Sequence, residues 1–349
     1  MSIAIDQIKT LQLEITTYCN AKCPHCPRFS EDGSGFLAPS VRLSHWDMPA
    51  VIANLEAEKM TSLERIIIEG DKGDPVMHPK LYDLLVYFSQ VPSQPIIELT
   101  TNGSIQTTRW WARIAAIPNL IVRFSIDGLK DTNHLYRVGT DFDRIVANAQ
   151  AFIAAGGNAL MKTLMFKHND HQIDDLVKFS QDIGFFAIWF MRGDLGRFLG
   201  KPVWEVKSEG QLLHTIEPSQ QYMNAHNVTH RSIPAYEKVL TNELDIHDFI
   251  CPNLMKGRLY VAYQQHVIPC CMMHNDLYLD YPGGRRLINE IVGDIDSIDL
   301  SKNKMSVILT SSLFSNRLEE HFYSGRHLPT CVKSCKSKIV SRIEFRKNT

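Results

Sequence analysis

The sequence carries no large excess of charge of either sign. Its 349 residues include 37 Lys and Arg against 38 Asp and Glu, which gives a formal net charge of −1. A chain with this balance lacks the broad basic surface that neutralises a phosphate backbone. We therefore expect no nucleic-acid partner.

Long hydrophobic runs are also missing. A membrane-spanning helix needs a run of about 18 or more apolar residues, and the apolar segments of this chain are only long enough for strands. The first ten residues, MSIAIDQIKT, lack the basic and apolar regions of a secretory signal. These absences predict a cytoplasmic protein with no membrane segment.

Cysteine is absent from the whole middle of the chain. None occurs between residues 27 and 250. In a chain without a secretory signal, clustered cysteines are typical of metal ligands rather than disulfides. The eight cysteines form three groups, namely Cys19, Cys23 and Cys26, then Cys251, Cys270 and Cys271, then Cys331 and Cys335.

The first part of the chain alternates strand-like and helical patterns. Short apolar runs separated by amphipathic segments predict six βα units with parallel strands and right-handed crossovers. Periodicity alone does not decide between a partial barrel and an open doubly wound sheet. The predicted strands are residues 11–16, 65–69, 96–100, 121–126, 160–166 and 186–191.

Several polar loops follow these predicted strands directly. Gly73-Asp74, Asn102-Gly103 and Asp127-Gly128 come after the second, third and fourth strands, and the first cysteine group comes after the first. Ligands of parallel α/β folds bind at the carboxyl ends of the strands. We therefore expect these loops to share one site.

The first cysteine group has the spacing C-x3-C-x2-C. Three thiolates from one short loop can hold three corners of a [4Fe–4S] cluster and leave its fourth iron without a protein ligand. An open coordination position is where a metal centre binds and activates another molecule. A zinc site would need a fourth ligand, for which His25 is a possible choice, although its ring is expected to point away.

This loop, placed directly after a first strand, resembles the signature of the radical S-adenosylmethionine (SAM) superfamily. The resemblance implies a partial (β/α)6 TIM-like barrel with SAM chelated to the open iron. It also implies reductive cleavage of SAM to a 5′-deoxyadenosyl radical. The family usually has an aromatic residue near the adenine before the third cysteine, where this chain has His25.

Later segments extend the resemblance to residues 10–192. The segment Lys72-Gly73-Asp74-Pro75 is similar to the family's Gly-Gly-Glu-Pro, which meets the SAM amine, with Asp in place of Glu. Asn102 matches the turn after the third strand. By the same resemblance, Ser125 and Arg137 are expected to hold the SAM ribose and carboxylate, and an Arg fork suits a carboxylate.

The remaining cysteines resemble those of the SPASM and shorter twitch extensions, which hold auxiliary iron–sulfur clusters. The resemblance implies a radical SAM core over residues 1–200 and an auxiliary-cluster domain over residues 201–349. Cys271 could replace Cys270, and a structural zinc or free thiols are alternatives. The predicted ligands of a second [4Fe–4S] cluster are Cys251, Cys270, Cys331 and Cys335.

The predicted reaction is hydrogen-atom abstraction followed by a two-electron oxidation, with the auxiliary cluster as electron acceptor. Known twitch dehydrogenases suggest a small substrate such as a sugar alcohol or aminocyclitol. The alternative is crosslinking or epimerisation of a ribosomally made peptide, which the short segment before the first strand makes less favourable. Arg192 and Asp194, after the sixth strand, are the predicted substrate contacts.

A non-catalytic zinc- or cluster-binding redox sensor is the alternative from another class. An enzyme should cleave SAM under reducing conditions, whereas a sensor should not. The family resemblance also implies a reductase partner such as flavodoxin or ferredoxin.

Overall fold

The computed structural model gives the chain as a mixed α/β protein. Across the residues it describes, no helix is long and apolar enough to cross a membrane. The described residues are 3–29, 36–193, 203–208, 211–221, 225–241, 251–271, 273–274 and 290–323.

One large sheet of nine strands organises the fold. Its order is β11-β10-β1-β2-β3-β4-β5-β6-β9, and β10 and β1 to β6 run parallel to one another. The two edge strands β11 and β9 are antiparallel, and β7 and β8 form a separate hairpin. The strands are β1 Thr10–Leu13, β2 Arg65–Ile68, β3 Ile96–Thr101, β4 Leu120–Ser125, β5 Asn158–Met165, β6 Ala187–Arg192, β7 Trp204–Ser208, β8 Gln211–Ile216, β9 Val228–Thr229, β10 Arg258–Val261 and β11 Val267–Ile268.

The α-helices lie mostly between consecutive strands, as the parallel pairing requires. A local start signal precedes the helix Phe142–Ala154, where the Asp141 carboxylate accepts a hydrogen bond from the Arg144 N–H. A local stop signal follows the helix Ile173–Ile183, where Gly184 adopts φ 96°. The α-helices are α1 Met48–Leu55, α2 Leu81–Ser89, α3 Thr108–Ile114, α4 Asn133–Tyr136, α5 Phe142–Ala154, α6 Ile173–Ile183, α7 Pro234–Thr241, α8 Pro252–Met255, α9 Met305–Ile308 and α10 Leu318–Tyr323.

The two faces of the sheet have different contents. The outer face packs on the helices through a large apolar core that includes Trp111, Phe124 and Phe152. The inner face closes at the amino end of the strands around Tyr236 of α7, which is 1% exposed and stacks on Trp189. The interior is therefore blocked at that end, on the side away from the strand-end loops.

The predicted class, α/β with parallel strands, is confirmed. Residues 258–268 form the hairpin β10–β11 rather than one continuous strand, because Gln265 adopts the left-handed conformation with φ 69°. The polar stretch after residue 200, for which the sequence predicted no strand or helix, contains the hairpin β7–β8 and the helix α7. Strand β10 extends the main sheet beside β1, so residues beyond 250 share its core.

Candidate active site

The three cysteines of the first group lie in the loop after β1. Cys23 is buried, and Cys19 and Cys26 are half-buried. The loop is held by hydrogen bonds from the Lys22 N–H to the Val138 carbonyl at 2.7 Å and from the Cys26 N–H to the Cys23 carbonyl at 3.0 Å. The Cys23 and Cys26 thiols raise the pKa of Cys19, and the Cys26 thiol raises the pKa of Cys23, as expected for sulfurs that lie near one another in one loop.

Polar groups from other loops contact each of these sulfurs. Asn102 Nδ2 lies 3.9 Å from Cys19 Sγ, and Arg137 Nη1 lies 3.8 Å from Cys23 Sγ. The Cys26 thiol donates to the Asp71 carbonyl at 3.6 Å. N–H donors and positive charge next to sulfur, as at Cys19 and Cys23, favour the thiolate, the form that binds metals.

The surroundings of the sulfurs fit an iron–sulfur cluster. Burial raises the pKa of Cys19 to about 12 and that of Cys23 to about 11. Metal binding would instead lower the pKa of these thiols, because the ligand is the thiolate. Three soft thiols from one loop, two of them beside N–H donors, are the donor set that a [4Fe–4S] cluster uses.

The loop after β2 packs directly against the cysteine loop. A Cβ atom on Gly73 would come within 2.1 Å of the Thr16 carbonyl oxygen, so only glycine fits there. The next residue, Asp74, donates its N–H to the Tyr18 carbonyl at 2.8 Å. The Gly73 match in the sequence thus corresponds to a close approach between two backbones.

The Asp74 carboxylate is buried and accepts several hydrogen bonds. Its donors are the Val76 N–H at 3.0 Å, the Asn102 N–H at 2.8 Å and the Thr101 hydroxyl at 2.9 Å. Burial raises the pKa of Asp74, and these hydrogen bonds oppose that effect. Asp74 therefore ties the loops after β2 and β3 together, which sequence reasoning did not predict.

The guanidinium of Arg137 is fixed by Asp127, which lies in one of the strand-end loops that were expected to share the site. Arg137 Nε donates to Asp127 Oδ2 at 2.5 Å, while Asp127 Oδ1 accepts from the Leu164 N–H at 2.6 Å. Burial alone would lower the pKa of Arg137, but the charges of Asp127 and Cys23 outweigh burial and raise it. Arg137 therefore stays cationic beside the cysteine loop.

The predicted ribose contact Ser125 lies at the end of β4. It is buried and pairs in register with Lys162 of β5. Arg192 ends β6 as an exposed residue, and Asp194 lies outside the described residues. The structure thus brings Asn102 and Arg137 to the cysteines by direct contacts, joins Asp74 to Asn102, and places Arg192 at the rim.

The hairpin β7–β8 covers part of the cysteine loop. The ring of Trp204 meets His25 edge-on, with 5.3 Å between the ring centroids. Trp204 and Ile216 pack in one cluster with Cys23. The sequence analysis missed this contact because the hairpin lies in a stretch without clear periodicity.

The inner face of the sheet holds charged residues that the sequence analysis also missed. Glu98 of β3 is fully buried and forms ion pairs with Arg65 of β2 and Arg123 of β4. Glu69 accepts a hydrogen bond from Gln12 Nε2 at 2.9 Å. The available signal was a charged residue within otherwise apolar strands, as in RIIIE and IVRFSI.

Glu14 lies just beyond β1 and is 1% exposed. Its Oε1 accepts the Asp71 N–H at 3.0 Å. Burial raises the pKa of Glu14 to about 8, and the Asp71 carboxylate adds to the effect. Glu14 is therefore protonated near neutral pH. It is hydrogen-bonded to Asp71, whose carbonyl contacts Cys26.

The second cysteine group is only partly described. Cys251 is buried just before α8, and Cys270 and Cys271 are half-buried after β11. The Met273 N–H donates to Cys270 Sγ at 3.4 Å. Burial raises the pKa of Cys271, and the carboxylate of Asp71 raises it further. The predicted ligands Cys331 and Cys335 lie outside the described residues.

The sequence of residues 13–180 matches the family model of the Radical SAM superfamily. With the cysteine loop described above, this confirms the family prediction: the chain carries a radical SAM domain and is a radical SAM enzyme. The solved structures that it resembles also confirm the partial-barrel fold.

Among curated proteins, the chain is similar to the tungsten-containing aldehyde ferredoxin oxidoreductase cofactor-modifying protein of Pyrococcus furiosus. They are 23% identical over 289 residues, which is 80% of this chain and 75% of that protein. It is also 26% identical to the GTP 3′,8-cyclase of Staphylococcus aureus over 216 residues, covering 60% of this chain and 62% of the cyclase.

Two solved structures share the fold. SuiB of Streptococcus suis, bound to S-adenosylmethionine, has a TM-score of 0.53 and 14% identity, covering 88% of this chain and 76% of that one. The protein anSMEcpe with bound AdoMet has a TM-score of 0.52 and 14% identity, covering 94% and 85%. At this identity the likeness shows the fold alone.

Proposed function

We propose that the chain binds a [4Fe–4S] cluster through Cys19, Cys23 and Cys26 and binds S-adenosylmethionine beside it. The convergence of Asn102 and Arg137 on the sulfurs of this loop is the observation that carries the proposal. When bound, the cluster and S-adenosylmethionine supply a 5′-deoxyadenosyl radical that removes a hydrogen atom from the substrate.

Residues of the chain would hold the cofactor in place. Arg137 would bind the methionyl carboxylate, because Asp127 fixes its fork and keeps it charged. Asp74 and the Gly73 backbone would meet the amine, Asn102 would support the loop, and Ser125 would meet the ribose. His25, packed against Trp204, would border the adenine.

We further propose a second [4Fe–4S] cluster held by Cys251, Cys270, Cys331 and Cys335 in a domain spanning residues 201–349, after a core of residues 1–200. The N–H···S bond from Met273 favours Cys270 as the ligand, since a donor stabilises a thiolate. Nearby carboxylates disfavour the thiolate of Cys271.

The reaction we propose is a two-electron oxidation of a small molecule, of the sugar-alcohol or aminocyclitol kind, with the second cluster as electron acceptor. Arg192, which lies at the rim, and Asp194 would contact the substrate. Modification of a peptide is the second candidate, because the structures that share the fold include SuiB bound to its precursor peptide SuiA and anSMEcpe bound to a peptide.

Anaerobic reconstitution tests the proposal. Protein reduced with dithionite should convert S-adenosylmethionine to 5′-deoxyadenosine, and the variant Cys23→Ala should not. Iron analysis should give about eight irons per chain for two clusters and about four for one. Bound zinc without cleavage would instead support the sensor alternative.

The natural electron donor would be a flavodoxin or ferredoxin in the cytoplasm. Replacement of dithionite by reduced flavodoxin should sustain the same cleavage. Failure of both reduced flavodoxin and reduced ferredoxin to support turnover would contradict this part of the proposal.

A further inference from the structure

Lys162 lies on the inner face of the sheet, midway between the apolar cluster around Tyr236 and the cysteine loop. On β5, Leu160 packs in the cluster around Tyr236, and Leu164 packs in the cluster that contains Cys23. Residues i, i+2 and i+4 of a strand point to the same face. Lys162 therefore projects into the interior between these two clusters.

The charged groups around Lys162 come from opposite sides of the interior. Burial lowers the pKa of Lys162, and the charges of Arg123 and Arg137 lower it further. The charge of Glu69, in the loop after β2, raises it. Glu69 and Lys162 are separated in the sheet by β3 and β4. The side chain thus lies near the centre of the curved sheet, between the inner-face charges and the proposed SAM carboxylate site.

The ammonium of Lys162 makes no hydrogen bond or ion pair within the described part of the chain, and its side chain is half-buried. The other inner-face cations are paired, because Arg65 and Arg123 both bind Glu98. An unpaired cation in an enclosed space is costly unless an anion binds to it.

Two carboxylates lie near enough to Lys162 to act on it electrostatically. Glu69 raises the pKa of Lys162, and Lys162 in turn lowers the pKa of Asp71. Within the described part of the chain, neither carboxylate forms an ion pair with the ammonium. The ammonium is therefore available to an anionic group on a bound molecule.

We propose that Lys162 binds an anionic oxygen group of the substrate, a carboxylate or a phosphate, inside the barrel. The inference rests on the proposed function, since it assigns the substrate to the space beside the SAM site. Lys162 would hold the anionic group on the side of the substrate that faces the Tyr236 cluster. A C–H bond near the anionic group would then face the cysteine loop.

Anion binding to the reconstituted protein tests this proposal. Isothermal titration with inorganic phosphate and with succinate, at low ionic strength, distinguishes the two kinds of anion. Lys162→Gln should weaken binding of the preferred anion about tenfold or more, as expected for loss of a charge-assisted hydrogen bond, and Lys162→Arg should retain it within about threefold. Lys178→Gln is the matched control, because Lys178 is exposed and pairs with Asp182 on a helix surface.

A second measurement uses the unaltered protein. Reductive methylation followed by mass spectrometry should show that the preferred anion protects Lys162 but not Lys178. Equal affinity in wild type and Lys162→Gln, no anion binding by the wild type, or no protection of Lys162 would each overturn the proposal. Lys178→Gln should cleave SAM and hold iron as the wild type does, and loss of iron or of cleavage in the wild type marks failure of the proposed function instead.

Discussion

The two described cysteine groups differ in the groups that lie beside their sulfurs. Around Cys19 and Cys23 a guanidinium and an amide donor contact the sulfurs, although the carboxylates of Asp74 and Asp127 also raise the pKa of these thiols. Around Cys271 the neighbours are carboxylates, which raise the pKa of its thiol beyond the effect of burial. The comparison teaches that cysteine spacing locates possible ligands, while the surrounding charges indicate which thiols are suited to binding metal as thiolates.

Asp71 lies between the two groups. Its carbonyl accepts from the Cys26 thiol, its N–H donates to Glu14, and its carboxylate faces Cys271. One short loop after β2 therefore contacts Cys26 and acts electrostatically on Cys271. Differences between the groups can be tested by parallel substitutions.

The largest expected effect separates the roles of the two groups. Cys23→Ala should abolish formation of 5′-deoxyadenosine, with a loss greater than the roughly 10–100-fold typical of outer-shell residues. Cys270→Ala should retain SAM cleavage but lose the oxidised product. Chromatographic assay of 5′-deoxyadenosine checks both, and cleavage by Cys23→Ala at the wild-type rate would remove the distinction.

A second test concerns the positive charge beside the first group. Arg137→Lys keeps a charge but loses the fork fixed by Asp127, so SAM affinity and cleavage should fall about 10–100-fold. Iron content should remain at the wild-type level. Arg144→Lys provides a surface control, because Arg144 lies in the exposed first turn of α5. An unchanged affinity in Arg137→Lys would show that the fork does not hold the carboxylate.

A third test compares two adjacent residues of the second group. Cys270→Ser should lower the iron content from about eight to about four per chain, while Cys271→Ser should leave it unchanged. The reason is the N–H donor at Cys270 and the carboxylates near Cys271. The reverse pattern in iron and sulfide analysis would assign the ligand to Cys271.

The smallest effect concerns the link between the N-terminal core and the C-terminal region. Glu56 Oε2 accepts the Ser306 N–H at 2.9 Å, and Oε1 accepts from Lys59 Nζ at 2.6 Å. Burial alone would raise the pKa of Glu56, but these bonds outweigh burial and lower it to about 2. Glu56→Gln should destabilise the fold by about 2 kcal/mol near neutral pH, as for a hydrogen bond to a charged group.

The sign of the pH dependence follows from the lowered pKa of Glu56. Its contribution is complete above its ordinary pKa of 4.5 and is lost as the pH falls toward about 2. Urea unfolding of wild type and Glu56→Gln should therefore differ at pH 7 and converge near pH 2. A constant difference across this range would show that the charge of Glu56 does not contribute.

Local patterns predicted the first cysteine loop and the βα units well. The six predicted strands match β1 to β6 within a few residues, because buried parallel strands are short apolar runs bounded by turn residues. The turn after residue 262 was missed, since a left-handed Gln265 has no reliable sequence signal. The hairpin β7–β8 was missed for a similar reason, because its stability comes from packing on Cys23.

The roles of individual site residues were predicted less well. Asp74 was expected to serve the cofactor amine, and the structure adds that it joins two loops through backbone N–H groups. The loop with Asp127 was expected to share the site, but the role of Asp127 in fixing Arg137 was not predicted. Such contacts join residues that are far apart in the chain, or they depend on the geometry of a loop. The spacing of residues in the sequence therefore does not reveal them.

By itself the sequence determined the cysteine loop, because three ligands within eight residues are brought together by chain connectivity alone. It also determined the alternation of strands and helices, which follows from local hydrophobic periodicity. Only the tertiary structure placed Lys162, Glu69 and the Glu98 ion pairs around one interior. Curvature of the sheet brings those side chains together from distant strands, and no local pattern encodes that curvature.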